Sequence, residues 1–382
     1  MNDAFSPSRR HCLGAGLGGA AAWLAPGWAQ AAPGPLRVVQ FLDMSGLQQN
    51  LSRDYATGVR LAWMPTGPTR VAHKVGLQTI EVTDPGNTTA LRDMVNKLVA
   101  DPGVIGLLGT TADRLAVAVH AELRHLHSPL PHIGPWMADA RFDDDASLAC
   151  LFASRPTQLS KSIASVRGMG MNELCVVYRS ATEQALYDAD IAQLAQSAQL
   201  RLQRLVGDGS PGSLHGVAAR IPASSSLVLC LGNSADLAQL TQGMAVRHDR
   251  RFVLGLGDVD PAALLELRPG RGVAVLLAQV VPNPVRGKHP SIPLVSEFSA
   301  RLRMLFDEEP APVSLAGYIA GSYAAELMQK LGGRLSRESL MAETQRRANH
   351  NLHGWLVDFK EDRRGSRFVT QAMLNADGQL VG

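Results

Sequence analysis

The feature that most constrains the fold is a strand, a tight loop and a helix encoded in succession from Val104 to Leu126. Val104–Leu108 is a short apolar run with β-branched residues, and a Pro-Gly turn precedes it. This composition is typical of a strand buried on both faces. Gly109 ends the run, and apolar residues then recur at helical spacing up to Leu126. The segment therefore predicts a parallel strand followed by a helix, the unit from which α/β folds are built.

The loop between this strand and its helix is a candidate ligand site. Thr110, Thr111 and Asp113 are residue types that commonly cap helices. Free backbone N–H groups and two hydroxyls at a helix N-terminus can also receive an anionic group such as a carboxylate. The residues of the loop leave both interpretations open, a plain helix cap or an anchor for a ligand.

The same alternation of strand and helix recurs in two series. The predicted strands are Leu36–Leu42, Val75–Val82, Val104–Leu108 and Pro129–Ile133 in the first series, and Leu174–Tyr178, Leu200–Leu205, Leu227–Leu231, Phe252–Leu256 and Val273–Val280 in the second. Leu151–Ser154 is interpreted as a short strand that Arg155-Pro156 ends, where the chain crosses between lobes, and Pro282 and Pro284 mark a second crossing. The pattern predicts an α/β protein with two Rossmann-like lobes, parallel sheets and a hinged cleft.

Composition indicates a globular protein and argues against nucleic-acid binding. The 382 residues are enough for two ordinary domains, and 46% hydrophobic and 19% charged residues indicate a globular chain. The net charge of +3 and the even spread of arginine argue against a nucleic-acid partner.

The first 31 residues have the features of an export signal. A paired-arginine motif, Ser8-Arg9-Arg10-His11-Cys12-Leu13, precedes a weakly apolar stretch, and Ala29-Gln30-Ala31 is an Ala-x-Ala cleavage site. This segment resembles a bacterial twin-arginine signal, so residues 1–31 are predicted to be a signal peptide and the mature protein to be periplasmic.

Several short motifs occur in the order found in one known family. They are Asp43-x-Ser45-Gly46, Arg53-Asp54-Tyr55-x-x-Gly58-x-x-Leu61-Ala62, Asp84 with Thr88–Leu98, Ile105-Gly106-x-x-Gly109-Thr110, Gln279-Val280-Val281-Pro282-Asn283-Pro284, Gly317-Tyr318-x-Ala320, Ser336-Arg337-Glu338-Ser339-Leu340, and Gly365-Ser366-Arg367-Phe368-Val369 with Asp377-Gly378. Together they resemble the type I periplasmic solute-binding proteins of amino-acid and amide ABC importers (Leu/Ile/Val-binding protein-like). The resemblance covers Leu36–Gly382.

This resemblance implies a division of the chain into lobes. Lobe I would comprise residues 35–153 plus 283–350, and lobe II residues 156–280 plus 355–382. Three crossover segments would join the two lobes, which close on a small solute.

The resemblance also assigns ligand-binding residues. The carboxylate-binding serine of the family falls on Thr110, with backbone N–H groups near Thr111, and the acid that holds the ligand's ammonium falls on Asp258. The other ligand loops and the apolar wall fall on Leu51, Trp136, Ala138, Arg179, Ser180, Glu183 and Gly257.

The sequence departs from the family pattern at three of these positions. Leu51 lacks the usual aromatic ring, Ala138 lacks a hydroxyl, and Glu183 stands where an aromatic residue is usual. Trp136 could stack on a ligand in place of the lost aromatic wall, or it could be a packing residue. The resemblance therefore predicts the class of protein better than the identity of its solute.

Catalytic and metal chemistry have little support in the sequence. No Gly-x-Ser-x-Gly nucleophile motif is present. His125-x-His127 could bind Zn²⁺, but catalytic zinc needs three protein ligands and no third one is suitably spaced. The sequence therefore predicts a protein that is not an enzyme, without metal or cofactor.

Two functions remain as hypotheses. The first is the solute-binding component of an ABC importer, a monomer that binds a small carboxylate-bearing solute and docks on an inner-membrane permease. The second is a periplasmic ligand-sensing or accessory binding protein that is not coupled to transport.

Overall fold

A computed structural model describes residues 35–46, 48–64, 74–167, 170–247, 251–284, 292–360, 363–374 and 380–381. The predicted signal peptide and the Asp377-Gly378 turn lie outside these residues. No helix among the described residues is long and apolar enough to cross a membrane.

The first sheet has five described strands, all parallel, in the order β2-β1-β3-β4-β5. The strands are β1 (Arg37–Asp43), β2 (Gly76–Val82), β3 (Val104–Leu108), β4 (His132–Ile133) and β5 (Leu148–Ala149). Between them lie α1 (Gln49–Trp63), α2 (Thr88–Ala100) and α3 (Asp113–His125). β3 is buried along its whole length, as its continuous apolar sequence predicts.

The second sheet has seven described strands in the order β14-β13-β10-β9-β8-β6-β7. They are β6 (Glu173–Tyr178), β7 (Arg201–Val206), β8 (Leu227–Leu231), β9 (Phe252–Gly255), β10 (Ala274–Gln279), β13 (Thr370–Leu374) and β14 (Leu380–Val381). The associated helices are α4 (Arg155–Arg167), α5 (Ala181–Ser197), α6 (Ser213–Val217), α7 (Ser234–Val246) and α8 (Pro261–Glu266). The strands from β6 to β10 pair in parallel, and β13 and β14 extend the sheet antiparallel.

The last helices return to the first sheet. They are α9 (Pro293–Phe306), α10 (Pro312–Leu331) and α11 (Arg337–Gln345), and the hairpin of β11 (His350–Leu352) and β12 (Trp355–Val357) follows. Residues of α1, α9 and α10 share one buried cluster with Ile105 and Leu108 of β3. The two predicted sheets and their α/β class are thus confirmed.

Close packing of α1 against α10 depends on glycine. A Cβ atom added to Gly317 would lie 2.0 Å from the carbonyl oxygen of Tyr55, and one added to Gly58 would lie 1.9 Å from that of Ser314. Both contacts are with backbone, which cannot move aside as a flexible side chain can. The Gly-Tyr-x-Ala motif that begins at Gly317 therefore has a steric explanation.

The first crossing differs from its prediction. Leu151–Ser154 is not a strand, since β5 ends at Ala149 and the apolar residues Leu151–Ala153 pack in the same buried cluster as α1, α9 and α10. Arg155 and Pro156 begin α4 rather than end a strand, because the first turn of a helix tolerates proline. Asn351 and Leu352 lie in β11, and His353 and Gly354 form the turn that leads into β12.

Gly317→Ala is expected to destabilise the protein by about 1–3 kcal/mol, since its methyl group forces α1 and α10 apart. Thermal unfolding followed by circular dichroism measures the effect. Gly216→Ala in α6 is the matched control, because a Cβ there meets nothing within 4 Å. Equal midpoints for the two variants would contradict the proposed role of the glycine contact.

Candidate functional site

The carboxyl ends of the parallel strands in both sheets carry the loops that contain the predicted ligand residues. Thr110 and Thr111 follow β3, Arg179 and Ser180 follow β6, and Asp258 follows β9. In parallel α/β sheets, this edge is where ligands bind. Any site built from both sets of loops must lie where the two sheets face one another.

Arg155 joins the loops of the two sheets. Its Nη2 atom donates to Asp113 Oδ2 at 2.5 Å, at the start of α3, and to Asp258 Oδ2 at 2.8 Å, after β9. The Arg155 residue is only 7% exposed, and its guanidinium carbon lies 4.3 Å from the centre of the Tyr187 ring. This three-residue ion bridge, Asp113–Arg155–Asp258, spans the space between the sheets.

A cavity of about 520 Å³ lies on one side of the ion bridge. Its lining combines Arg141 and Arg155 with Asp139, and with the apolar faces of Leu159 and Tyr187. Asp139 is paired with Arg141 at 2.7 Å, and this pairing, together with hydrogen bonds from the Arg141 side chain and backbone, lowers the pKa of Asp139 against the effect of burial. The volume falls within the range typical of pockets for small ligands.

A second cavity, of about 350 Å³, lies where the start of α1 meets the loops after β8 and β9. Leu51 lines it from the first sheet, and Asp258, Asp260 and Glu266 line it from the second. Burial and the neighbouring carboxylates Asp260, Glu308 and Glu266 raise the pKa of Asp54 to about 7. This side of the ion bridge is therefore strongly acidic.

The hydroxyls after β3 point into the protein rather than capping α3. Thr110 Oγ1 lies 2.8 Å from His132 Nε2, and Thr111 Oγ1 lies 2.6 Å from Ser52 Oγ and accepts the Asp43 N–H at 2.9 Å. Ala112 occupies the N-cap position with a positive φ of 66° and makes no side-chain cap. The plain helix-cap interpretation is therefore wrong.

The remaining predicted residues of the first sheet lie nearby. Trp136 packs in the core between the rings of Tyr55 and Phe152, at 5.8 and 5.4 Å between ring centres. The Ala138 N–H donates to Asp113 Oδ1 at 2.6 Å, which connects this loop to the ion bridge.

The predicted residues of the second sheet fall into two groups. Ser180 caps α5, and the Arg179 N–H donates to Glu183 Oε2 at 2.7 Å. Burial raises the pKa of Glu183 to about 7. The Gly257 N–H donates to Gln158 Oε1 at 2.8 Å, beside Asp258 in the ion bridge.

Solved structures share this architecture. A substrate-binding periplasmic protein from Ralstonia solanacearum matches with a TM-score of 0.76 at 20% identity, over 91% of this chain and 99% of that one. A leucine-binding protein from Thermotoga maritima MSB8 matches with a TM-score of 0.76 at 14% identity, over 90% and 97% of the two chains. A fatty acid ABC transporter substrate-binding protein from Thermomonospora curvata matches with a TM-score of 0.76 at 12% identity, over 91% of each.

The chain has the type I periplasmic binding protein fold. The resemblance seen in the sequence motifs is thus confirmed at the level of the fold. No protein-family model matches the sequence, and no curated protein matches it.

Within this type I fold, the residues that join the loops of the two sheets cannot be identified from the sequence pattern, which indicates a chain break at Arg155-Pro156 and a helix cap at Asp113. The one available signal is an arginine two residues after the apolar run Leu151–Ala153, where a charged side chain needs a buried partner. No group of three or more metal-binding side chains occurs among the described residues.

His132 is expected to make the stability of the protein depend on pH. Burial holds the pKa of His132 well below its usual 6.5, with His120 adding to the effect. Below pH 6.5 the unfolded chain therefore takes up a proton that the folded chain does not, and stability falls with pH down to the folded-state pKa.

The test replaces His132 with glutamine, which can still donate to Thr110 but does not titrate. From about pH 7 to about pH 5 the variant should lose less stability than the wild type, by up to about 1.4 kcal/mol per pH unit. Thermal midpoints measure the loss, and His125→Gln, at an exposed position, should follow the wild type. Parallel curves for wild type and His132→Gln would refute the role assigned to burial.

Proposed function

We propose that the protein is the periplasmic solute-binding component of an ABC importer. It binds a small carboxylate-bearing solute, such as an amino acid or a relative, between lobe I (35–153 plus 283–350) and lobe II (156–280 plus 355–382). Residues 1–31 serve as its export signal. The partner that receives the solute is an inner-membrane permease.

One observation carries the proposal. Both cavities draw their lining from both halves of the molecule: the smaller one lies between the segment after β1 and the loops after β8 and β9, and the larger one between the loop after β4 and helices α4 and α5. Arg155 lines the larger cavity, and Asp258, its partner in the ion bridge, lines the smaller one. A solute held there contacts both sheets at once, so its binding is coupled to the relative position of the lobes. The leucine-binding and fatty acid transporter proteins that share the fold support this class of function.

Thr110 is the proposed hydrogen-bond donor to the carboxylate. A threonine hydroxyl offers one donor and two acceptor positions. With the proton of His132 on Nε2, the ring donates to Thr110 Oγ1, which leaves the hydroxyl proton without a protein acceptor. Thr110 is fully buried and lines neither cavity in this arrangement, so the proposal requires the loop after β3 to open toward the solute. The neighbouring Thr111 hydroxyl is already engaged by Ser52 and by the Asp43 N–H.

Solute binding is expected to raise the thermal midpoint of the purified mature protein. A ligand at one hundred times its Kd stabilises the folded state by about 2.7 kcal/mol. A thermal-shift screen of amino acids, amides, aromatic acids and short-chain acids measures this effect, with titration calorimetry on every hit. A screen in which no small solute shifts the midpoint would count against a solute-binding role.

Thr110→Val is expected to weaken the binding of a carboxylate hit by about 1 kcal/mol or more, the worth of a hydrogen bond to a charged group. The matched control is Thr344→Val, which alters a buried threonine whose hydroxyl bonds within α11. Calorimetric affinities of wild type and both variants decide the point. Unchanged affinity in Thr110→Val would remove Thr110 from the site.

A further inference from the structure

We propose that Arg155 determines the specificity of the cleft, and that the solute is an organic acid without an α-ammonium group, bound in the cavity lined by Arg155 and Tyr187. This inference rests on the proposed function and narrows its substrate class. It concerns a residue that the family resemblance does not assign to the ligand.

The first step concerns Asp258, the residue on which the family's ammonium-binding acid falls. Its carboxylate accepts from Arg155 Nη2 at 2.8 Å, and Arg155 is held in place by Asp113 as well. The Arg155 guanidinium therefore already binds the carboxylate that a solute ammonium group would need as its partner. An α-amino acid would have to displace a buried, doubly paired arginine to use Asp258.

The second step concerns the donors that Arg155 has left. A guanidinium carries five N–H groups, and the bridge uses only those on Nη2. Nη1 is buried and has no hydrogen-bond partner among the described residues. A buried donor without a partner is costly, and a solute oxygen that reached Nη1, by displacing the side chains that shield this atom from the cavity, would remove that cost.

The third step concerns what surrounds these donors. The cavity of about 520 Å³ brings Arg155 next to apolar side chains, among them Leu159, Tyr187 and Ile191. Arg141 lines it as well but is paired with Asp139, and Asp190 adds a second carboxylate to the lining. The guanidinium carbon of Arg155 lies 4.3 Å from the centre of the Tyr187 ring. A carboxylate with a compact apolar body is complementary to this combination of arginine donors and apolar wall.

The electrostatic setting of the bridge is dominated by burial. Burial raises the pKa of Asp258, with Asp113 adding to the rise, while Arg155 opposes it. Two carboxyl groups share one guanidinium in the bridge, so the attraction for an incoming carboxylate has to come from the arginine N–H donors rather than from the net charge of the bridge. The opposite cavity, with Asp258, Asp260 and Glu266 in its lining, offers no arginine or lysine among its lining residues.

The experiment uses two matched sets of probes on the mature protein. Isocaproate, isocaproamide and leucine share one carbon skeleton. In the second set, 3-phenylpropanoate, 3-phenylpropanamide and phenylalanine share another, so that within each set only the head group changes. Titration calorimetry is expected to show that at least one acid binds at least tenfold more tightly than its amide and its amino acid.

Two variants test the residues themselves. Asp258→Asn, which keeps the side-chain shape and removes one negative charge, should tighten binding of that acid at least threefold. Arg155→Lys keeps the positive charge that Asp113 and Asp258 need but loses the planar donors of the guanidinium. It should weaken the binding of the acid at least tenfold and change the binding of the amide little. Asp101→Asn, in the separate ion pair with Arg37, is the matched control and should leave all affinities unchanged.

The outcomes separate the two proposals. Binding of the amino acids at least as tightly as the acids, with loss of that binding in Asp258→Asn, would overturn the inference and retain the solute-binding function. Equal losses for acid and amide in Arg155→Lys would also overturn it. Binding of none of the six probes would contradict this inference, and the wider thermal-shift screen would then judge the solute-binding function on its own.

Discussion

The site depends on one buried guanidinium, that of Arg155, which pairs with a carboxylate from each half of the molecule. Taking such charges out of water is costly, and a buried pair that loses one partner leaves an uncompensated charge worth several kcal/mol. The positions of Asp113 and Asp258 are therefore linked to one another through Arg155. Because Asp113 also accepts the N–H groups of Ala138 and Asp139, the loop after β4 is held by the same bridge.

A second buried arginine, Arg364, forms hydrogen bonds with the same loop. Arg364, in the segment between β12 and β13, is 1% exposed and donates to the carbonyl oxygens of Met137, Asp139 and Phe152. Its Nε atom donates to Asp143, at 2.9 Å. Arg364 thus binds the loop after β4 to the crossing segment at Phe152, while Arg155 connects the same loop, through Asp113, to the second sheet. The loop is preorganised by charge-assisted hydrogen bonds rather than by regular secondary structure.

Local patterns were sufficient to predict most of the strands and helices. Val104–Leu108, for example, is a strand because its run of apolar residues can be buried only in a sheet covered on both faces. The contacts of the site were harder to predict from the sequence because their residues are far apart in the chain. Arg155 is 42 residues from Asp113 and 103 from Asp258. At Arg155-Pro156 the one signal, an arginine just past an apolar run, indicates a buried charge but does not distinguish a helix start from a chain break. Asp258 follows β9, but the family resemblance could not reveal that the chain supplies its own cation there.

The ion bridge also limits how a solute can act on the relative position of the two sheets. A ligand shifts the balance between two arrangements only by its difference in affinity for them. A solute that replaced Arg155 on Asp258 would lose the energy of the bridge that it broke, and so would stabilise less the arrangement in which both sheets share Arg155. A solute that accepts from the unpaired Nη1 atom leaves both carboxylate contacts of Nη2 intact. Its binding energy then adds to that of the bridge, so the arrangement in which the two sheets share Arg155 is the one it stabilises.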